Sequence, residues 1–325
     1  MVKISTQKFH SQVLQNNPLK DPYDRDVLII QPDQIKPNAP LLIGLPGFGN
    51  SLASLKNESP FSQSFVSYLT EMSQKGLLKD AVVAIPDTVT RLGGNHYLNS
   101  ESVGMYEVFI IEELIPKLKS DFSSGLVGLF GKDAGGFGAY TLAVRNPGVI
   151  NAFASHSGDM GFEYFFLPDF PEIMDAIKQM SGVEKWLTKF WNSKNRLNST
   201  KLKVLRTLEA SAFFSPNPSS SEGGTDLPFD WESGEFRNNI WALWQDHDPA
   251  RNSVNYTRQM ESLYFSYFDV GIMDEFQLVW GHRSLEKHLR ESGIKFTYEE
   301  YEDGHFGLNY RLEKSLPAMV NALIT

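Results

Sequence analysis

The chain has no cysteine in its 325 residues. That absence removes disulfides, thiolate metal sites and a cysteine nucleophile together. It fits a cytoplasmic protein, with an exported mature form left open. Long apolar runs are missing as well: no 18-residue apolar stretch occurs, so no transmembrane helix is expected. The opening MVKISTQKFHSQVLQNN lacks the charged-then-apolar pattern of a signal peptide. Basic runs are absent and the formal net charge is -9, which sets aside nucleic acid and anionic membrane surfaces as partners. There is no H-E-x-x-H pair and no G-x-x-x-x-G-K-[ST] phosphate loop, so neither a metal nor a cofactor is expected. The partner left is a small-molecule substrate, bound by a monomer or homodimer.

What is present is apolar and aromatic. At 41% hydrophobic residues the chain can bury a sizeable core, as one large α/β domain or two ordinary ones. Short apolar runs at Val27–Ile30, Leu41–Leu45, Ala81–Ile85, Leu126–Phe130, Val149–Ser155, Leu263–Phe268 and Ile294–Tyr301 read as strands. Between them lie helical spacings, such as Phe65, Val66, Leu69, Met72 and Val108, Ile111, Ile115, Leu118. Strands alternating with helices predict a mostly parallel sheet with helices on both faces. From Gly161 to about Val254 that rhythm breaks into an aromatic-rich segment, read as a cap inserted into a single domain over about 160–254. Its aromatics either line a substrate pocket or seat the insertion on the domain.

The organising stretch is Leu126–Tyr140, LVGLFGKDAGGFGAY. A strand, a tight turn and a helix follow one another, with Gly131 and Gly135 two residues either side of Asp133. That is the layout of a nucleophile elbow, G-x-S-x-G, with aspartate at the serine position. The plain alternative is a glycine-rich turn whose aspartate caps the helix. At a helix N-terminus the dipole favours a carboxylate, so Asp133 is expected to be ionised at neutral pH unless burial prevails.

Active sites in such sheets gather at the carboxyl ends of the strands. Asp133, Asp274 and His305 each follow a predicted strand, in the order nucleophile, acid, histidine. His305 exchanges protons near neutral pH, and Asp274 orients its imidazole and stabilises the imidazolium. Asp269 is the second candidate for the acid. His282 and His288 fall on a helix and read as surface residues. His96 and Tyr97, in the polar loop 86–100, and His156, at a strand end, are candidates for substrate contact. A glycine-rich loop, Pro46-Gly47-Phe48-Gly49, ends another strand and leaves backbone N–H groups free for an oxyanion.

Across most of its length the chain resembles the esterase family of α/β hydrolases that includes S-formylglutathione hydrolase, enterochelin esterase and feruloyl esterases. The pieces are LIGLPGFGNS, LGGNHYLNSESVGMYEVFIIEELIPKL, GKDAGGFGAY, SHSGD, FDVGIMDEF and GIKFTYEEYEDGHF. The resemblance implies an α/β-hydrolase fold and an esterase triad with His305 as base and Asp274 as acid. It also implies oxyanion donors in the N–H groups of Phe48 and Ala134. The departure is Asp133, where the family has serine. Three accounts are open. Asp133 is a nucleophile, as in the haloalkane dehalogenases and epoxide hydrolases that share the fold. Alternatively it is a general base, or it replaces a serine and leaves a protein that binds without turnover.

Overall fold

A computed structural model describes residues 2–196 and 198–324. It opens with an antiparallel pair, β1 (Val2–His10) and β2 (Asp24–Pro32). β3 (Leu41–Leu45), α1 (Phe65–Gln74) and β4 (Val82–Pro86) follow. Next comes a helical run with a π-helical middle, Phe109–Leu114, that continues as α2 (Ile115–Phe122). Then come β5 (Val127–Lys132), α3 (Ala134–Arg145) and β6 (Ala152–His156).

Between β6 and the next strand the chain is largely helical and includes α4 (Ser199–Phe214). It closes with β7 (Phe265–Gly271), α5 (Leu278–Glu291), β8 (Thr297–Tyr301) and α6 (Leu312–Leu323). Among the described residues no helix is long and apolar enough to cross a membrane.

The sheet has eight strands in the order β1-β2-β4-β3-β5-β6-β7-β8. All pairings from β4 to β8 are parallel. Helices cover both faces, so strands in the middle are buried on both sides and read as continuous apolar runs. Leu41, Ile43 and Leu45 join one core and Leu42 the other, as the two-residue period of a strand requires. The register sets Leu45 against Gly131 and Lys132 against His156. The carboxyl ends of β3, β5 and β6 therefore finish level, at one edge of the sheet.

Two expectations change. β1 was not foreseen: most of its residues are exposed, so it carries no apolar run to betray it. β7 runs on to Gly271, which puts Asp269 inside a strand rather than after one.

Candidate active site

β5 enters α3 through Asp133, whose backbone sits at φ 59° and ψ -132°. A non-glycine residue held there is strained, and only a tightly determined turn keeps it. The glycines supply the room. A Cβ on Gly135 would overlap the Leu45 carbonyl, and one on Gly131 would overlap the backbone of Gly135. Strand, turn and helix approach too closely for any side chain, as the elbow spacing predicts.

The turn lifts the Asp133 side chain above the sheet. It does not cap α3, since no cap hydrogen bond forms. Instead Oδ2 accepts the backbone N–H of Phe48 at 2.7 Å. Oδ1 stands 3.7 Å from His305 Nε2. On the far side of that imidazole, Nδ1 meets Asp274 Oδ2 at 2.8 Å. Asp274 is fixed in turn by the N–H of Phe276 on its Oδ1, 2.9 Å. The N–H of Ala134 opens α3, where a helix has no acceptor of its own. The structure thus brings Asp133, Asp274, His305, Phe48 and Ala134 into one place.

Asp133 is buried, and burial pushes its carboxyl up to about 6. The Asp159 carboxyl beside it adds to that rise, while His305 and Arg206 work against it. The helix dipole is thus outweighed, and the group titrates near neutrality. Asp159 also meets His96 Nε2 at 3.2 Å, and His96 Nδ1 meets Glu209 of α4 at 2.9 Å. Burial opposes a charge on His96, but Glu209 and Asp159 overcome it and hold the imidazole up to about 10. A buried chain Asp159–His96–Glu209 therefore runs from beside the elbow into the helical segment.

The remaining candidates lie elsewhere. His96 has both ring nitrogens engaged, is 1% exposed, and does not line the cavity over Asp133. Tyr97 is fully buried, its hydroxyl donating to Pro46 O at 2.6 Å and sharing a hydrogen bond with Thr88. His156 spends its nitrogens on Asp269, 2.8 Å, and Ser315, 2.9 Å. None of the three has a polar atom left for a substrate, so the expected contacts are corrected to packing roles. Asp269 is taken by His156 and Arg311 and is not the partner of His305. His282 is not a surface residue: it is buried, with Nε2 against Gly158 O at 3.0 Å. His288 is half-buried and bonded to Ala250 O.

A cavity of about 640 Å³ opens over Asp133 and His305. Phe48, Leu202, Phe276 and Phe306 make its apolar wall, and Lys132, Lys203 and Arg206 bring charge. The aromatics of the helical segment do not line it. Phe162, Phe166, Phe170, Phe214 and Trp244 pack on one another beneath it, with rings about 5–6 Å apart. They seat the segment on the sheet; its contribution to the cavity is one face of α4. Sequence reasoning missed Asp159, Glu209 and Arg206. Asp159 had a signal, two residues beyond the strand-end His156-Ser157, but Glu209 and Arg206 sit mid-helix with none.

No known protein-family model matches the chain, and no curated protein matches it either. Solved structures do. A ferulic acid esterase is 14% identical, with 99% of each chain covered and a TM-score of 0.60. An S-formylglutathione hydrolase from Agrobacterium tumefaciens is also 14% identical, covering 98% of this chain and 95% of that one, TM-score 0.60. An S-formylglutathione hydrolase from Staphylococcus aureus is 12% identical, covering 99% and 100%, TM-score 0.57. At this identity the likeness is one of fold: the chain has the α/β-hydrolase fold over its whole described length.

Proposed function

We propose that the protein is a hydrolase that works through a covalent ester on Asp133. The observation that carries this reading is the division of labour between the two carboxylate oxygens. Oδ2 rests on the Phe48 N–H at 2.7 Å, while Oδ1 faces the cavity end of His305 beyond hydrogen-bond reach, at 3.7 Å. A carboxylate attacks without a base. Oδ1 forms a bond to an electrophilic carbon, and the leaving group departs with its bonding pair. Oδ2 then becomes the ester carbonyl oxygen.

The second step uses the rest of the site. His305 Nε2 takes a proton from water, and the hydroxide adds to the Asp133 side-chain carbon. Negative charge develops on Oδ2, which the Phe48 and Ala134 N–H groups receive. Asp274 holds the imidazole and stabilises its charged form. Collapse releases the alcohol and restores the carboxylate. This chemistry suits a saturated carbon bearing a leaving group, or a strained ring such as an epoxide. Attack on a carboxylic ester would give a mixed anhydride, a costlier intermediate.

A second reading draws on the same hydrogen bond. If Asp133 replaces an esterase serine, Oδ2 occupies the donor that an ester carbonyl needs, and the pocket binds without turnover. One experiment separates the two. The parent, Asp133→Ser and His305→Gln proteins are assayed on p-nitrophenyl acetate and butyrate, epoxides and haloalkanes. The proposal expects parent turnover of an epoxide or haloalkane, and an Asp133 adduct in His305→Gln by mass spectrometry. It fails if the parent is inert to all of them and only Asp133→Ser hydrolyses the esters.

A further inference from the structure

Three cations line the cavity over Asp133, and they are not equivalent. Lys203 is matched by Asp169 at 2.8 Å and Glu172 at 2.7 Å. Arg206 gives Nη2 to Asp169 at 3.0 Å, but its Nε is buried with no acceptor. Among the described residues Nη1 has no hydrogen bond either. The guanidinium cannot swing to find one, because it is held over the rings of Phe165 and Phe276, 4.2 and 4.7 Å from their centres. Lys132 makes no hydrogen bond or ion pair among the described residues; its Nζ stands 5.4 Å over the Phe306 ring.

Leaving a buried donor unmet is unfavourable. Tying α4 to Asp169 accounts for Nη2 alone. It explains neither the idle Nε nor Lys132, whose charge burial opposes and which the Asp133, Asp274 and Glu275 carboxylates favour without pairing with it. Glu275 shares the wall, but its carboxylate accepts the backbone N–H of His305 at 2.6 Å and makes no ion pair with Lys132. A rigid guanidinium fork and a flexible point charge on one cavity wall make a donor set that carboxylates and phosphates select. Phe48, Leu202, Phe276 and Phe306 make most of the rest of the wall apolar, with Asn50 and Ser199 as its neutral polar groups.

We propose that the substrate ends in an oxyanion, a carboxylate or a phosphate, on an apolar body, and that Arg206 and Lys132 bind this group while the reacting carbon faces Asp133. The proposal rests on the hydrolase reading only for which end reacts.

The test is calorimetric titration of hexanoate, hexyl phosphate and the neutral hexanamide into the full protein. The parent is compared with Lys132→Met, Arg206→Met, Arg206→Lys and Asp133→Asn. The better of the two anions should bind at least tenfold more tightly than hexanamide, and which one it is separates carboxylate from phosphate. Lys132→Met and Arg206→Met should each erase most of that preference; Arg206→Lys should keep part of it. Should Arg206→Met not fold, as judged by circular dichroism, Lys132→Met decides. Equal binding of hexanamide, or a preference untouched by these variants, overturns the subsite.

Asp133→Asn should keep the preference, because anion binding needs no nucleophile. Selective anion binding by a protein that forms no Asp133 ester would sink the hydrolase reading and leave the subsite standing. Turnover of neutral substrates without anion preference would do the reverse.

Discussion

Asp159 faces Asp133 within one buried site, its backbone N–H 3.4 Å from the Asp133 carbonyl and its carboxyl against the Asp133 carboxyl. Two acids confined together resist being charged at once. Burial first, and this pairing after it, raise the Asp133 carboxyl to about 6, where ordinary assay buffers can reach it. In the proposed reaction ionised Asp133 is the attacking form, so kcat/KM should fall as pH drops through about 6. Asp159→Asn removes one of the causes and should move that limb toward the usual carboxylate range. A pH–rate profile of the two proteins checks it; an unmoved limb would separate Asp159 from the nucleophile's ionisation.

The same burial carries a cost in stability. Asp133 has a folded pKa of about 6 against the ordinary carboxyl value of 3.8. The folded state therefore binds more protons than the unfolded one between those values, and stability falls as pH rises through them. Asp133→Asn should stabilise the protein at pH 7.5 by about 2–3 kcal/mol, with the gain shrinking as pH falls through about 6 and gone near pH 4. Urea unfolding at both pH values reads this directly. A destabilised variant at pH 7.5 would contradict it.

His96 works with the opposite sign. Its folded pKa of about 10 exceeds the ordinary imidazole value of 6.5. Its contribution is therefore complete below 6.5 and is lost as pH rises through about 10. His96→Gln leaves Asp159 and Glu209 buried without their cation, and should cost about 3–5 kcal/mol. Guanidinium denaturation at pH 7 measures the loss. Parent stability that stayed flat from pH 7 to 10 would show that the imidazolium does not hold α4 to the elbow.

Asp274→Asn keeps the size of the acid and removes its charge. In a triad the comparable change lowers kcat by about 10⁴ through the wrong imidazole tautomer. In the proposed reaction His305 serves only the second step, so ester formation on Asp133 should continue while its hydrolysis slows. Rapid-quench kinetics with mass spectrometry should show a burst followed by slow turnover. Equal slowing of both steps would place His305 in the first.

Gly135→Ala places a methyl against the Leu45 carbonyl. Backbone must move to admit it, and the elbow is where Asp133 is aimed. Loss of cooperative unfolding, or loss of activity in a folded variant, is the expected outcome. A folded variant with parent activity would show that the turn has slack.

The central strands, the elbow and the order Asp133, Asp274, His305 were legible in the sequence. Each is enforced within a few residues. A strand buried on both faces must be apolar throughout, and a turn where strand meets helix must lack Cβ atoms. Edge strand β1 obeys no such demand, because water covers most of it.

The fates of the histidines were decided in three dimensions. His96 finds its carboxylates 63 and 113 positions away, and His156 finds Asp269 113 positions away. So was the direction of the Asp133 carboxylate, set by an N–H 85 residues earlier. The charge in the cavity comes partly from α4, a helix buried without a break from Val204 to Phe214, whose sequence marks none of its residues as facing a cavity. Local sterics are written residue by residue, whereas burial, and with it pKa and the choice of partner, exists only once distant segments have closed on one another.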